Sequence, residues 1–201
     1  MHISEGMLAA PVLGAGWAAA AAGTYIGIRQ IDTQCAPRIG LTAAFLFVAS
    51  LVAVPIPGTS VHLVLNGMAG ILLGWAVFPA FFVVLLLQAA LFSFGGLTTL
   101  GVNTANMALP GLVCCLLLRR AVASGGRRGT AAAFAAGSMS VLLAALMMGL
   151  CLATVSTKMA VVAFTAQVPL ALVEGLVCVF LAAFLRKVRP ELLSPARLEA
   201  R

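Results

Sequence analysis

Charged residues are scarce in this chain. Of its 201 residues, 12 are lysine or arginine and 5 are aspartate or glutamate, while 63% are hydrophobic. A soluble domain of this length needs a mixed charged surface, which so few charges cannot provide. The composition therefore excludes an ordinary soluble domain and favours a chain whose helices are solvated by lipid.

Several kinds of site are also missing. The net charge is +7, but no basic patch is interleaved with aromatic residues, so nucleic acid is not an expected partner. No glycine-rich phosphate-binding loop occurs, so any ATP must be used by another subunit. The cysteines form no C-x-x-C pair, and we interpret them as small apolar fillers: Cys35, Cys114, Cys115, Cys151 and Cys178.

The N-terminus does not resemble a cleaved signal peptide. It begins Met1-His2-Ile3-Ser4-Glu5-Gly6, and no lysine or arginine precedes Arg29. A signal peptide would open with a basic region and end at a small-residue cleavage site. The alanine-rich stretch that follows is about twenty residues long, which is enough to cross a bilayer. We therefore expect a first transmembrane helix that is retained.

Apolar segments divide the rest of the chain. Seven can be marked, at about 8–28, 40–55, 62–75, 78–93, 106–122, 130–154 and 166–187. The third and fourth are short for a bilayer of about 30 Å, so tilting or burial is expected. Pro79 either begins the fourth helix at its first turn or kinks one longer helix.

The basic residues favour seven spans over six. With the N-terminus outside, eleven of the twelve lysines and arginines fall on the inner side, and Lys158 alone falls outside. We therefore predict an all-α, polytopic membrane helical bundle of about seven transmembrane helices, with the N-terminus outside and the C-terminus inside. Residues 1–188 would form one transmembrane substrate-binding domain with a metal-binding segment at 1–6, and 189–201 a short cytoplasmic tail.

Both histidines fall at the predicted outer face. His2 and His62 are the only two in the chain, and imidazole is the commonest protein ligand for metals. The amino group of Met1, the backbone nitrogen of His2 and the His2 imidazole can close a five-membered and a six-membered chelate ring on one ion. A nitrogen of His62 would complete a four-nitrogen set, which favours Ni(II) or Cu(II) and tolerates Co(II).

Longer motifs carry a family resemblance. They are Met1-His2-Ile3-x-Glu5-Gly6, Ser60-Val61-His62, Leu86-Leu87-Gln88-Ala89 and the stretch from Phe92 through Gly95-Gly96-Leu97-Thr98-Thr99-Leu100-Gly101 to Asn103, Asn106 and Met107. Together they resemble the CbiM/NikM family, the substrate-capture subunits of energy-coupling-factor cobalt and nickel importers.

The resemblance implies a set of properties for this chain. The fold would be a six-helix substrate-subunit bundle with one additional N-terminal helix. The metal ligands would be Met1, His2 and His62, and the transported substrate Co²⁺ or Ni²⁺, with no other cofactor. The partners would be a transmembrane coupling subunit, cytoplasmic ATPase subunits and a small accessory membrane subunit, in the cell (inner) membrane of a prokaryote.

Other polar residues are candidates for supporting the site or for gating: Asn66, Gln88, Thr98, Thr99, Asn103, Asn106 and Glu174. Asn66, Asn103 and Asn106 would orient His62 or the N-terminal segment. Glu174, the one acid inside a span, would hydrogen-bond polar backbone near Gln88, lie in a water pocket or couple to transport. Gln167 stands where many relatives have a histidine, which puts any auxiliary role of that position in doubt.

Alternatives from other classes remain open. An intramembrane enzyme would need a pair such as Ser60 and His62, but residues two apart point to different faces of a helix. A vitamin-binding subunit would need more aromatic residues than one tyrosine and two tryptophans. A stand-alone metal channel would differ from an importer in needing no ATPase partner.

Overall fold

The chain folds into a bundle of helices with one small hairpin. The computed structural model describes residues 2–51, 53–56 and 59–193. Within these ranges the helices are α1 (Ala10–Ile28), α2 (Ala36–Ser50), α3 (Asn66–Leu73), α4 (Val77–Phe92), α5 (Leu100–Ser124), α6 (Gly126–Ala153) and α7 (Thr157–Val188). The strands are β1 (Ala53–Ile56) and β2 (Thr59–His62), and 3-10 turns lie at Gly74–Ala76 and Pro190–Leu192.

Five helical stretches of the described residues are long and apolar enough to cross a membrane. They are α1, α5, α6, α7 and the 27-residue stretch Asn66–Phe92, which contains both α3 and α4; α2 is apolar but shorter. Large apolar side chains are exposed on the outside of the bundle, including Leu41 (75%), Leu116 (71%) and Phe180 (73%). Lipid tails solvate such a surface, and water does not. The chain is a multi-pass membrane protein.

The helix α3 lies at the centre of the bundle. Every residue of α3 except Leu72 is buried, which fits its apolar sequence. It runs alongside α5 in the same direction, because Asn66 at its start donates to the Met107 carbonyl (3.4 Å) and Gly70 meets Gly111. A Cβ at Gly70 would lie 1.8 Å from the carbonyl oxygen of Gly111, so the two backbones touch.

The chain reverses direction between α3 and α4. Gly74, at the turn, has a φ of 57° and a ψ of −130°, a conformation that side chains disfavour. The helix α4 then begins beside the end of α1, where a Cβ on Gly27 would meet Trp75 and Pro79. The other end of α4 lies next to the end of α2. The helices α3 and α4 therefore run in opposite directions, although they belong to one apolar stretch of the sequence.

Some predicted boundaries are wrong. The helix α5 begins at Leu100 rather than near 106, and α7 at Thr157 rather than near 166. The polar residues in these turns indicate loops when only the sequence is considered. In the structure Asn103 and Thr104 are helical and buried, because their side chains face the interior of the bundle. Gln167, inside the predicted seventh segment, is helical and buried as well.

The predicted loop at 55–60 is largely a β-hairpin, of which Pro57 and Gly58 lie outside the described residues. The strands β1 and β2 pair antiparallel, with Ala53 opposite His62 and Ile56 opposite Thr59. Prolines at 55 and 57 argue against a strand in a wide sheet. A two-stranded ribbon has only edge strands, where a proline can be tolerated. The hairpin brings His62 back to the end of α2.

Basic residues gather at the opposite end of the bundle from the hairpin. Arg29 and Arg38 flank the α1–α2 connection, Arg127 and Arg128 open α6, and Arg186 closes α7. The guanidinium of Arg186 donates to the Val122 carbonyl at the end of α5 (3.2 and 3.3 Å), so the ends of α5 and α7 lie together. This asymmetry of charge is the pattern of a membrane protein with a fixed orientation.

Replacing Gly70 by alanine should destabilise the bundle. The added methyl has no room against the Gly111 carbonyl, so α3 and α5 must separate, at a cost of about 1–3 kcal/mol. Thermal unfolding of the purified protein in detergent measures this as a lower Tm. Gly40→Ala is the matched control, because a Cβ at Gly40 on α2 meets nothing within 4 Å. An equal Tm for both variants would contradict the close contact.

Candidate metal centre

His2 and His62 meet although sixty residues separate them in the sequence. Their ring centroids are 4.8 Å apart with planes inclined by 21°, and the exposed fractions of the two residues are 5% and 4%. The hairpin brings His62 to this point, and the segment before α1 folds back to bring His2. Met1, the third predicted ligand, lies outside the described residues.

Burial disfavours the charged form of both imidazoles. Burial lowers the pKa of His2 well below its ordinary value and that of His62 to about 3. The Nδ1 atom of His62 lies 3.0 Å from the Leu63 carbonyl oxygen. Since a carbonyl can only accept a hydrogen bond, Nδ1 carries the proton and Nε2 keeps the lone pair. Nε2 is therefore the His62 nitrogen with which a metal can be bound.

The backbone of Ile3 is held by α5 and the loop before it. Its N–H donates to Asn103 Oδ1 (2.9 Å), and its carbonyl accepts from Asn103 Nδ2 (3.1 Å) and from Thr99 Oγ1 (3.0 Å). Asn103 thus occupies both backbone groups of the residue that follows His2. Because Ile3, Asn103 and Thr99 are all buried, these bonds fix the position of His2 firmly.

The loop between α4 and α5 encloses the N-terminal segment. The Glu5 N–H donates to the Gly95 carbonyl (3.2 Å), and the Glu5 carboxylate accepts from the Thr98 N–H (3.2 Å). A Cβ on Gly96 would lie 1.5 Å from that carboxylate. Gly95 has a φ of +77°, and a Cβ there would meet Asn103 Nδ2 at 2.9 Å. The two glycines allow the loop to approach this closely.

Glu174 holds the turn that follows His62. Its carboxylate accepts hydrogen bonds from the backbone N–H groups of Val64 and Leu65, the latter at 2.9 and 3.0 Å. Leu65 has a φ of 53°, in the left-handed region, immediately before α3. Glu174 therefore bonds polar backbone, as expected, and Val64 lines the same small pocket as His62 and Gln88.

Within the described residues, no three histidine, cysteine, aspartate or glutamate side chains come together as a metal cluster. In the part of the chain that the structure describes, the side chains of this type that meet at the site are the two imidazoles.

Comparison with known proteins identifies the family. Residues 2–192 match the family model of CbiM, described as the cobalt uptake substrate-specific transmembrane region. The chain belongs to this family. It is 33% identical to the cobalt transport protein CbiM of Sorangium cellulosum, over 96% of this chain and 94% of that protein.

Other members are matched over shorter stretches. A Haemophilus influenzae protein, provisionally named a metal transport protein, is 52% identical over 56% of this chain and 55% of its own length. The fused nickel transport protein NikMN of Rhodobacter capsulatus is 41% identical over 55% of this chain, and the match covers 34% of its length. The matches thus span about half of one protein and a third of the other.

A solved structure has the same fold. The crystal structure of a truncated transition metal transporter superimposes with a TM-score of 0.81, covering 93% of this chain and 99% of that one. The sequence identity is 23%, so the likeness concerns the fold alone.

The remaining predicted supporting residues of this CbiM family member lie in different places. Asn66 donates to the carbonyls of Met107 and Ser140 (both 3.4 Å), so it joins α3 to α5 and α6 rather than orienting His62. Asn106 is buried on α5, and its amide nitrogen has no hydrogen-bond partner among the described residues. Gln88 donates to Ser50 Oγ. The backbone N–H of Thr98, by contrast, donates to the Glu5 carboxylate in the N-terminal segment.

The helical argument against a Ser60–His62 pair is wrong, because both residues belong to β2. His62 faces His2, and its Nδ1 is occupied by Leu63.

Three features of the site were not predicted from the sequence. The ring of Phe94 stacks at 6.0 Å from His2, and Trp17 Nε1 donates to the Thr98 carbonyl (3.0 Å), which ties α1 to the loop. The Leu63 carbonyl selects the tautomer of His62. The aromatic pair around Ser93 in Phe92-Ser93-Phe94, just before two glycines, is the one signal that could have indicated the first of these.

Loosening the N-terminal segment should weaken metal binding. Asn103→Leu removes both bonds to Ile3 and should lower the affinity for Ni²⁺ or Co²⁺ by about 10–100-fold, whereas Thr99→Val removes one bond and should have a smaller effect. Isothermal titration of the purified protein measures both. Thr165→Val is the control, because that exposed hydroxyl bonds only carbonyls of its own helix. An unchanged affinity in Asn103→Leu would separate Asn103 from the site.

Removing the Glu174 carboxylate should lower stability and affinity together. Glu174→Ala leaves the buried N–H groups of Val64 and Leu65 without their acceptor, at about 1–3 kcal/mol for each. Glu174→Gln keeps one acceptor oxygen and should lie between Ala and the wild type in Tm and in metal affinity. Glu191→Ala, which removes an exposed ion pair with Arg189, should change neither. If Ala and Gln behave alike, the hydrogen bonds do not hold the turn.

Proposed function

We propose that this protein captures a divalent transition-metal cation, Co²⁺ or Ni²⁺, as the substrate-specific membrane subunit of an energy-coupling-factor importer. The observation that carries the proposal is the contact between two buried imidazoles that are sixty residues apart in the sequence. Neutral imidazole suits these borderline cations. Family membership and the cobalt and nickel transport named for the relatives support the same substrates.

Four nitrogens form the proposed ligand set. The amino group of Met1, the backbone nitrogen of His2 and the His2 imidazole provide three, and Nε2 of His62 the fourth. The bond from Leu63 to Nδ1 leaves Nε2 as the ligand atom. Loss of the amide proton of His2 would place the nitrogens near one plane, a geometry that Ni²⁺ favours and Co²⁺ accepts. The metal would then be bound without a carboxylate ligand. The size of the chelate rings would determine which metal binds.

The segment 98–103, which is the end of the α4–α5 loop and the first turn of α5, covers the site in this proposal. Its contacts with Ile3 and Glu5 hold the segment in place before the ion arrives. Preorganisation of this kind lowers the entropy lost on binding.

The proposed orientation puts the histidines outside and the basic end inside, following the positive-inside rule. In this orientation α3 and α4 would cross the membrane separately. The N-terminus would lie outside and the C-terminus inside. Import would require a transmembrane coupling subunit, cytoplasmic ATPase subunits and a small accessory membrane subunit. The fusion in the NikMN relative fits a function shared with another transport component. ATP hydrolysis would belong to the partner, and this chain would not be an enzyme.

Displacing the terminal amine tests the chelate. Two leucines inserted between Met1 and His2 break the five-membered ring that joins the terminal amine to the His2 nitrogen, and a bulky residue after Met1 prevents removal of that methionine. A single inserted residue is avoided, because an amine with histidine in third position can itself bind metal through four nitrogens. Isothermal titration should show the affinity falling by about 100-fold or more, or about 2.8 kcal/mol. Ser4→Ala, at an exposed position of the same segment, keeps the spacing and should bind normally.

Substitution of His62 tests the other half. His62→Ala removes one of the four proposed ligands. It should sharply reduce uptake of the metal by cells that also express the partner subunits. Measuring this uptake in cells that lack the ATPase subunits distinguishes an importer from a channel, since a channel would still admit the ion. Labelled Co²⁺ competed with graded Ni²⁺ identifies the substrate. Undiminished uptake in His62→Ala would remove that residue from the site.

A further inference from the structure

The ring of Phe94 is held in a defined orientation beside the metal centre. It stacks on the imidazole of His2, with ring centroids 6.0 Å apart and planes inclined by 22°. It also contacts the ring of Phe92 (5.9 Å), which in turn contacts Phe47 on α2 (5.9 Å). A row of aromatic rings thus runs from α2 to the metal centre, and Phe94 is the member that reaches His2.

The backbone on both sides of this ring has an uncommon conformation. Ser93 has a φ of 56° and Gly95 a φ of 77°, so Phe94 lies between two left-handed residues. The N–H groups of Ser93 and Phe94 both donate to the Gln88 carbonyl at the end of α4, and the Gly95 carbonyl accepts from the Glu5 N–H. A left-handed residue other than glycine is often found where a functional side chain must be held in place.

A ring in this position covers one face of the proposed coordination plane. In the proposed ligand set, His2 supplies both its backbone nitrogen and its imidazole, so its ring lies close to the plane of the four nitrogens. Phe94 stacks on that ring, and therefore lies toward one face of the plane. A phenyl ring supplies no ligand atom, and it excludes water from the axial position that it covers.

The two candidate cations differ in their need for axial ligands. Planar coordination by four nitrogens is typical of Ni²⁺. Co²⁺ with nitrogen ligands readily adds fifth and sixth ligands, usually water. A site in which an apolar ring closes one axial position cannot hold a six-coordinate ion, so it disfavours Co²⁺ relative to Ni²⁺.

We propose that Phe94 determines the choice between these two metals, because its ring closes one axial position of the four-nitrogen plane and the protein prefers Ni²⁺ as a result. The inference rests on the proposed function and adds the identity of the metal to it. The chelate rings select ions that accept four nitrogens, and Phe94 discriminates between the two that remain. Phe94 acts through the imidazole of His2 that it positions and through the space that it fills.

Removing the ring should change the preference. Phe94→Ala opens the axial position, so isothermal titration should show the ratio of the two affinities moving toward Co²⁺ by about tenfold, or about 1.4 kcal/mol. Phe94→Leu keeps an apolar side chain over the plane and should move the ratio less. Phe180→Ala is the control, because Phe180 on α7 is 73% exposed and its removal should leave the ratio unchanged.

The spin state of bound Ni²⁺ provides a measurement that needs no variant. A planar Ni²⁺ ion is diamagnetic, whereas an ion with axial ligands is paramagnetic, and magnetic susceptibility measured by NMR distinguishes the two. The unaltered protein should hold diamagnetic Ni²⁺. In Phe94→Ala a measurable fraction of the bound Ni²⁺ should be paramagnetic, because water can then reach the axial position.

The outcomes separate the two proposals. If the unaltered protein binds neither cation, the proposed function is wrong, and the role of Phe94 is wrong with it. If it binds them but Phe94→Ala leaves the affinity ratio unchanged, or if Ni²⁺ is paramagnetic in the unaltered protein, the role of Phe94 is wrong and the proposed function stands. An equal loss of affinity for both cations in Phe94→Ala would also overturn the inference, because Phe94 would then only hold His2 in place.

Discussion

The position of His2 depends on the hydrogen bonds that Asn103 and Thr99 make with the backbone of Ile3. An N-terminal segment is normally the least ordered part of a chain, yet here both backbone groups of Ile3 are bonded inside the bundle. Folding must order this segment at an entropic cost of about 1–2 kcal/mol per residue. The buried hydrogen bonds and the burial of Ile3 offset that cost, and His2 is positioned as a result.

His62, the second imidazole of the site, is positioned by a different part of the fold. His62 belongs to a hairpin, and the turn after it has a left-handed residue, Leu65. The carboxylate of Glu174, from the far end of the sequence, satisfies the two N–H groups of that turn. An acid inside a membrane span is expensive unless it is engaged in this way. The two histidines are thus held by independent elements that meet at one point.

Much of the architecture follows from composition and periodicity, because long apolar runs flanked by arginines indicate helices in lipid. The meeting of His2 and His62 could also be predicted, since the topology placed both at one face. The predictions from the sequence were wrong in the segments where polar residues are buried. The sequence 97–103 indicates a loop, but Asn103 is helical, because its partner is the distant backbone of Ile3. The partner of Glu174 likewise comes from tertiary contact, which no local pattern records.

The contact between Gly70 and Gly111 has a mechanical consequence. With the two backbones touching, α3 cannot slide along α5, so Asn66 on α3 and Asn103 on α5 keep a fixed separation. The N-terminal segment is not locked in this way, because hydrogen bonds of Ile3 and Glu5 hold it to α5 and to the loop before it. Under the proposed function, an ion bound beside His2 would therefore leave when these few bonds break, and the core of the bundle would not need to rearrange.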